Sequence, residues 1–279
     1  SMAFAGVGLK VVATDLDGTL LRSDRTVSPR IAAALRSAAE SGIEVVWATA
    51  RARHSVHEFA AMCGFRGIAL CANGAVVIDL ADGTPVIRST VGLDPAAGVA
   101  AVDAVRRAVP GTVFAAVGPT TFVAEPGYAA LCVFSDHHRA PESMVLADER
   151  FPALTEDVVK IVARHPEVES VDLYRAATDA GLDLAVTHSG APYVEMAARG
   201  VSKAAALAAL CGERGIDAVD VAAAGDARND LEMLAWAGTA VVPENAIAEV
   251  RAIADRIVPS NDDDGVAVYL EELTRTDRT

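Results

Sequence analysis

The sequence predicts an α/β fold: a mainly parallel sheet with helices on both faces, interrupted by an inserted α+β domain. Short apolar, β-branched runs alternate with helical patterns over the first third of the chain and again over the last third. That alternation belongs to parallel sheets covered on both faces. Between the two regions, from Asp82-Gly83 onward, strand-like runs succeed one another across short turns. The 279 residues allow two domains of ordinary size, and a chain this long buries roughly three quarters of its unfolded surface without a disulfide or metal staple.

The elements follow in order. "LKVVAT" predicts a first strand, and "SPRIAAALRSAAESG" a helix with Ser28 as N-cap, Pro29 in its first turn and Gly42 ending it. "IEVVWAT" is a second strand, "RHSVHEFAAMCG" a second helix ending at Gly64, and "GIALCA" a third strand. Asn73-Gly74 turns the chain into "AVVID". In the insert, "GTVFAAV" and "TTFVAE" predict a hairpin. "VVKIVARH", "LDLAVTH" and "PYVEMAA" predict strands, and "VESVDLYRAATDAG" a helix. Residues 126–153 carry Pro and His without clear periodicity. The α/β pattern then resumes: helix "SKAAALAALCGERG", strand "AVDVAAAGD", helix "ARNDLEMLAWAG", strand "GTAVVP" and helix "AIAEVRAIA". The polar tail "TRTDRT" is expected to fray. These boundaries give a core of residues 1–83 and 191–279 and an insert of residues 84–190.

Charge narrows the function. A formal net charge of -14 and a sequence pI near 4.8 repel nucleic acid and anionic lipid. A phosphate substrate is also repelled at long range, so an anion site here needs local positive charge from a bound cation or clustered Lys and Arg. The cysteines, Cys63, Cys71, Cys132 and Cys211, form no C-x-x-C pair and sit among apolar residues, as buried reduced thiols of a cytoplasmic protein do. No apolar run is long enough to span a membrane. "SMAFAGVGLK" lacks the features of a signal peptide, and Ser1 ahead of Met2 is set aside from the fold.

Candidate site residues gather at one sheet edge. Asp15 and Asp17 follow the first strand, and Thr49 ends the second. In open α/β sheets, ligands bind beyond the carboxyl ends of the strands. Taken alone, "DLDGT" also fits an ordinary Asp-Gly surface turn, and Thr49 a strand cap. Lys203 opens a helix behind the expected N-cap Ser202, where the dipole disfavours a cation by about 0.3–1 kcal/mol. Asp226 and Asp230, with Asn229 between them, lie in a first helical turn, where acids are ordinary caps. Together with Asp15 and Asp17 they compose an oxygen-rich, negatively charged set suited to Mg²⁺.

"DLDGTLL" (15–21), "ATAR" (48–51), "NGA" (73–75), "GVSK" (200–203) and "GDARND" (225–230), in this order, resemble the haloacid dehalogenase superfamily of phosphohydrolases. The large insert, with "NGA" and "DDDGVA" (262–267), resembles its Cof-type branch, whose members have a Rossmann-like core and an α+β cap. The resemblance implies a phosphatase for a small phosphorylated metabolite, a sugar phosphate first. Asp15 would be the nucleophile, forming an aspartyl-phosphate, and Asp17 the general acid and base. Asp15, the Asp17 carbonyl and Asp226 would hold Mg²⁺. Thr49, Ala50, Arg51, Asn73, Gly74, Lys203 and Asn229 would bind phosphate or substrate, with Asp230 supporting Lys203 or the metal waters. A halide needs no proton on leaving whereas an alkoxide does, so an acid at Asp17 suits a phosphatase and not a dehalogenase. Two rivals stay open: a mutase passing the phosphoryl group to a sugar hydroxyl, and a non-catalytic sensor of a phosphorylated ligand.

The chain departs from the family at two places. Ala50 stands where Gly is usual, and Pro243-Glu244 where Met-Gly commonly precedes Asn-Ala, which would reshape that loop and add negative charge. Other signals are weaker. His54 and His57 lack a third ligand at a metal spacing. His137-His138, in the expected cap, suits a solvated loop better than a contact with substrate, and Arg53 a solvated helix position. The two glycines of "GVGLKVV" precede a strand, where a dinucleotide loop would follow one.

Overall fold

A computed structural model of the chain describes residues 8–147 and 156–276. Residues 1–7, where a signal peptide is not expected, the later part of 126–153 and the tail beyond Thr276 lie outside the described residues.

The first stretch holds β1 (Val11–Thr14), α1 (Pro29–Glu40), β2 (Glu44–Ala48), α2 (Arg53–Cys63), β3 (Ile68–Cys71), β4 (Val76–Asp79) and β5 (Val86–Thr90). The insert adds α3 (Pro95–Ala108), β6 (Val113–Val117), β7 (Phe122–Ala124), α4 (Pro126–Leu131), α5 (Phe134–His137), β8 (Val145–Leu146), β9 (Lys160–Arg164), α6 (Ser170–Asp179), β10 (Ala185–Thr187) and β11 (Val194–Ala197). Then come α7 (Lys203–Glu213), β12 (Val221–Ala224), α8 (Leu231–Trp236), β13 (Thr239–Pro243), α9 (Ala248–Arg251), β14 (Arg256–Val258) and α10 (Gly265–Thr276).

One sheet runs β14-β13-β12-β1-β2-β3-β4-β5. From β14 to β3 neighbouring strands are parallel, and β4 turns back antiparallel on β3. Strands β1 and β12 are buried at every position, which is why their sequences read as unbroken apolar runs. Val11, Ala13, Val46 and Ala48 pack with Leu207, Leu210 and Cys211 of α7 and Met233 and Leu234 of α8. Each fully buried Val or Leu contributes about 1.5–3 kcal/mol. The alternate residues Val12, Val45 and Trp47 face the other way, and Trp47 stacks on Phe65 with ring centroids 4.0 Å apart. Helix α1 packs on α10 and on β2. Register decides where the chemistry falls. Thr14 pairs with both Ala224 and Trp47, so Asp15, Thr49 and Asp226 all emerge from the same carboxyl edge.

The insert has its own sheet, β10-β11-β9-β6-β7-β8, antiparallel except between β7 and β8. Helices α3 and α6 pack over Phe114, Ile161, Ala163, Val194 and Met196.

The compact units are Ser1–Ser89 with Ser202–Thr279, and Thr90–Val201. The boundaries expected at 84 and 190 therefore move later in the chain. Asp82-Gly83 marks the β4–β5 turn, still in the core, and Gly190 lies in the β10–β11 loop of the insert. Glycine-rich turns punctuate hairpins as readily as domain borders. Helix α3 and most of α10 are additions to the expected elements. The expected frayed tail begins inside α10, where Thr274 is buried and its hydroxyl donates to the Leu270 carbonyl. Within 126–147 the chain forms α4, α5 and β8. His137, expected in a solvated loop, instead lies beside Tyr128 (OH to Nε2, 2.7 Å) and against Tyr193 (rings 4.5 Å apart). Burial pushes its imidazole down to about 3. Arg53, expected to be solvated, opens α2 partly buried. The four cysteines are free and buried, and no described helix is long and apolar enough to cross a membrane.

Candidate active site

Beyond β1 the chain makes one wide turn: the Leu20 and Leu21 N–H groups donate to the Asp15 and Leu16 carbonyls five residues back. Inside it, Asp17 (φ -60, ψ 129) and Gly18 (φ 75, ψ -4) take the dihedrals of a type II turn, which calls for glycine at its second central position. A Cβ on Gly18 would also lie 2.2 Å from Asp226 Oδ2. The glycine thus lets the β1 loop and the β12 loop approach closely.

Asp15 and Lys203 are almost wholly buried, and Asp230 completely so. The Lys203 ammonium reaches Asp230 Oδ1 at 2.8 Å and Asp15 Oδ1 at 3.1 Å. Helix α7 starts there because Ser202 caps it, its hydroxyl accepting the Ala205 N–H. The dipole cost of a cation at this end is offset by two carboxylates. Asp230 Oδ2 accepts the N–H groups of Asp226 and Ala227, so both its oxygens are engaged. Asp15 Oδ1 also accepts the Leu16 N–H, and Asp226 Oδ1 the Thr19 hydroxyl.

Carboxylate oxygens of Asp15, Asp226 and Asp230 lie within 4.8 Å of one another. Burial raises Asp15 well above its ordinary value of 3.8. Asp230 adds to the rise, and Lys203 opposes it without prevailing. Burial raises Asp226 as well. For Lys203, burial favours the neutral amine, but Asp15 and Asp230 outweigh it and hold the ammonium charged. Three acids against one cation leave excess negative charge, and all-oxygen donors fit a hard divalent ion. Since Asp230 is engaged by three N–H donors, Asp15 and Asp226 are the carboxylates that could hold one. Among the described residues His54 and His57 belong to no metal-holding group.

Asp17 has a different environment. Its side chain is 48% exposed and held by Arg51 in a two-pronged contact, Nε to Oδ2 at 2.6 Å and Nη2 to Oδ1 at 2.8 Å. Arg51 is buried, fixed by Ser55 Oγ at 2.6 Å and the Phe59 ring at 4.8 Å, both from α2. Thr49 Oγ1 accepts the Arg51 N–H, and the Thr49 carbonyl accepts the Asn73 N–H. Ala50 is exposed between them. Asn73 (φ 55) accepts the amide of Asn229 at 3.2 Å. Gly74 (φ 95) is buried where a Cβ would lie 2.7 Å from the Ser202 carbonyl. All the predicted residues thus come to one edge of the core.

A family model for haloacid dehalogenase-like hydrolases matches residues 12–270. The chain belongs to that family. It is a phosphatase of the Cof-type branch. It is 30% identical to Phosphatase YwpJ of Bacillus subtilis over 95% of this chain and 100% of the relative. It is 28% identical to 5-amino-6-(5-phospho-D-ribitylamino)uracil phosphatase YwtE of the same organism, over 95% and 98%. The crystal structure of a haloacid dehalogenase-like hydrolase from Bacteroides thetaiotaomicron superposes with a TM-score of 0.78 at 25% identity, covering 95% of this chain and 99% of the other.

In this haloacid dehalogenase-like core, two residues absent from the expected site touch its central loop. Asn245 donates to the Gly18 carbonyl at 2.8 Å, and Asn261 to the Leu21 carbonyl at 3.0 Å. Pro243-Glu244 lies in the turn bearing Asn245: the Ala246 N–H donates to the Pro243 carbonyl and Glu244 is exposed. A polar residue two places after a strand that ends at the catalytic edge was the available signal.

Proposed function

We propose that the chain hydrolyses small phosphomonoesters, sugar or sugar-alcohol phosphates first, in a Mg²⁺-dependent reaction through an aspartyl-phosphate on Asp15. The carrying observation is the common reach of the Asp15 and Asp226 carboxylates beside a Lys203 held charged by its two acid neighbours. Asp15, the Asp17 carbonyl and Asp226 would hold the ion. When bound, it supplies positive charge that offsets the repulsion between a carboxylate and a phosphate.

An Asp15 oxygen attacks phosphorus, and the bond from phosphorus to the ester oxygen breaks. Asp17 gives its proton to the departing alkoxide, then takes one from the water that cleaves the acyl-phosphate. Inorganic phosphate leaves and Asp15 is restored. Lys203, the Thr49 hydroxyl, Asn229 and Asn73 bind phosphoryl oxygens, with backbone N–H groups around Ala50 and Gly74. Arg51 favours the ionised Asp17 that accepts water's proton, and release of one prong frees an oxygen to carry a proton to the alkoxide. Asp230 holds Lys203 in place. The phosphorylated ribityl group in the name of YwtE supports the substrate class.

The test is hydrolysis of an aryl phosphate with and without EDTA, beside Asp15→Asn. Turnover that EDTA and Asp15→Asn each abolish is expected. EDTA-insensitive turnover by the variant would refute the assignment.

A further inference from the structure

The loops after β13 and β14 reach back to the β1 turn through a chain of side-chain amides. Asn245 Nδ2 donates to the Gly18 carbonyl at 2.8 Å, while Asn245 Oδ1 accepts the Asn261 N–H at 3.0 Å. Asn261 is buried, and its own Nδ2 donates to the Leu21 carbonyl at 3.0 Å and reaches Ser23 Oγ at 3.4 Å. A carbonyl can only accept and a peptide N–H can only donate, so neither amide fits if flipped. The two asparagines grip Gly18 and Leu21. The segment between them holds Thr19, whose hydroxyl donates to Asp226. Asp17 is bonded directly to Gly18, in the same type II turn.

Backbone bonds close this turn at Leu20 and Leu21, three and four residues beyond Asp17. Arg51 holds the Asp17 side chain from the other direction. Between these holds, beside the Thr19 hydroxyl's bond to Asp226, Asn245 supplies the hydrogen bond on the Gly18 carbonyl itself. Asn245 sits on a short rigid turn anchored by β13: the Glu244 N–H donates to the Val258 carbonyl and the Ala246 N–H to the Pro243 carbonyl.

We infer that Asn245, braced by Asn261, is a positioning residue that fixes the Gly18-Thr19 peptide, and with it the turn that carries Asp17, and so aims the Asp17 carboxyl at the leaving-group oxygen. This rests on Asp17 being the acid. The isosteric Asn245→Asp turns the hydrogen bond to Gly18 into a repulsion between oxygens, and Asn245→Ala removes it.

The Mg²⁺-supplied enzyme is assayed on a nitrophenyl phosphate, whose leaving group departs without a proton, and on an alkyl phosphate, which needs one. Both Asn245 variants should lose on the order of 10–100-fold in kcat on the alkyl ester and much less on the nitrophenyl ester, while melting near the wild type. Equal losses on both esters, no loss on either, or unfolding of both variants would overturn the inference and leave the amides a purely structural brace. Asp17→Asn in the same assays separates the two layers. If it loses both esters equally, the assignment of Asp17 as acid fails. If it is selective and the Asn245 variants are not, the positioning inference alone fails.

Discussion

Two acidic regions of the core make a useful contrast. At the carboxyl edge, Asp15, Asp226 and Asp230 crowd around a single ammonium, and burial raises the first two above their ordinary values. Near α10, Asp264 is as buried as Asp15, yet it is held below its ordinary value despite burial. Arg22 binds it with two prongs, and the Ser28 hydroxyl donates to it as well. Asp262 is likewise lowered by the N–H and hydroxyl of Ser23. One region satisfies every carboxylate and the other leaves charge uncompensated. Local rules broken without local gain mark sites kept for function.

The largest expected break in this contrast is Asp15→Asn, which lowers kcat by about 10⁴-fold or more. Next comes Asp226→Asn. Turnover falls on the order of 10²–10³-fold, while melting of the EDTA-treated protein rises by a few degrees, because one of the crowded charges is gone. Asp264→Asn should do the opposite. It costs about 1–3 kcal/mol of stability in a denaturant titration and leaves the chemistry near wild type. Glu271→Gln at the exposed Arg30 pair should cost under about 1 kcal/mol.

The same contrast predicts two opposite pH dependences in the metal-free protein. A folded carboxyl with a raised value keeps protons that the unfolded chain has lost. The crowded edge therefore loses stability as pH rises from 3.8 through the raised values of Asp15 and Asp226. The contribution of Asp264 is present above 3.8 and is lost as pH falls through its depressed value. Melting across pH 3–8 should show the first trend blunted in Asp226→Asn and the second in Asp264→Asn.

How much was legible follows from the same chemistry. Asp15, Thr49 and Asp226 could be placed because strand ends are readable from apolar runs and parallel strands share a carboxyl edge. Lys203 gave itself away by sitting where a helix dipole disfavours it. Asn245 carried only the signal of a polar residue two places past a strand end at this edge, and Asn261 none: both act on backbone groups, which leave no mark in residue type. Arg51 was visible as a residue of the site but not as the partner of Asp17, since a guanidinium suits phosphate and carboxylate alike. In the insert, His137 looked solvated because the short helices that set it beside Tyr128 show no clear periodicity and Tyr193 comes from a distant segment. Gly98 lies inside α3, where glycine speaks against a helix.

The central claim is that the crowded edge is a cage for one divalent ion, and melting under a Mg²⁺ titration after EDTA treatment tests it most directly. Mg²⁺ should raise the melting temperature of the wild type and of Asp264→Asn alike, and leave Asp15→Asn and Asp226→Asn unmoved. A wild type that does not respond at millimolar Mg²⁺, or an Asp226→Asn variant that responds as the wild type does, would contradict it.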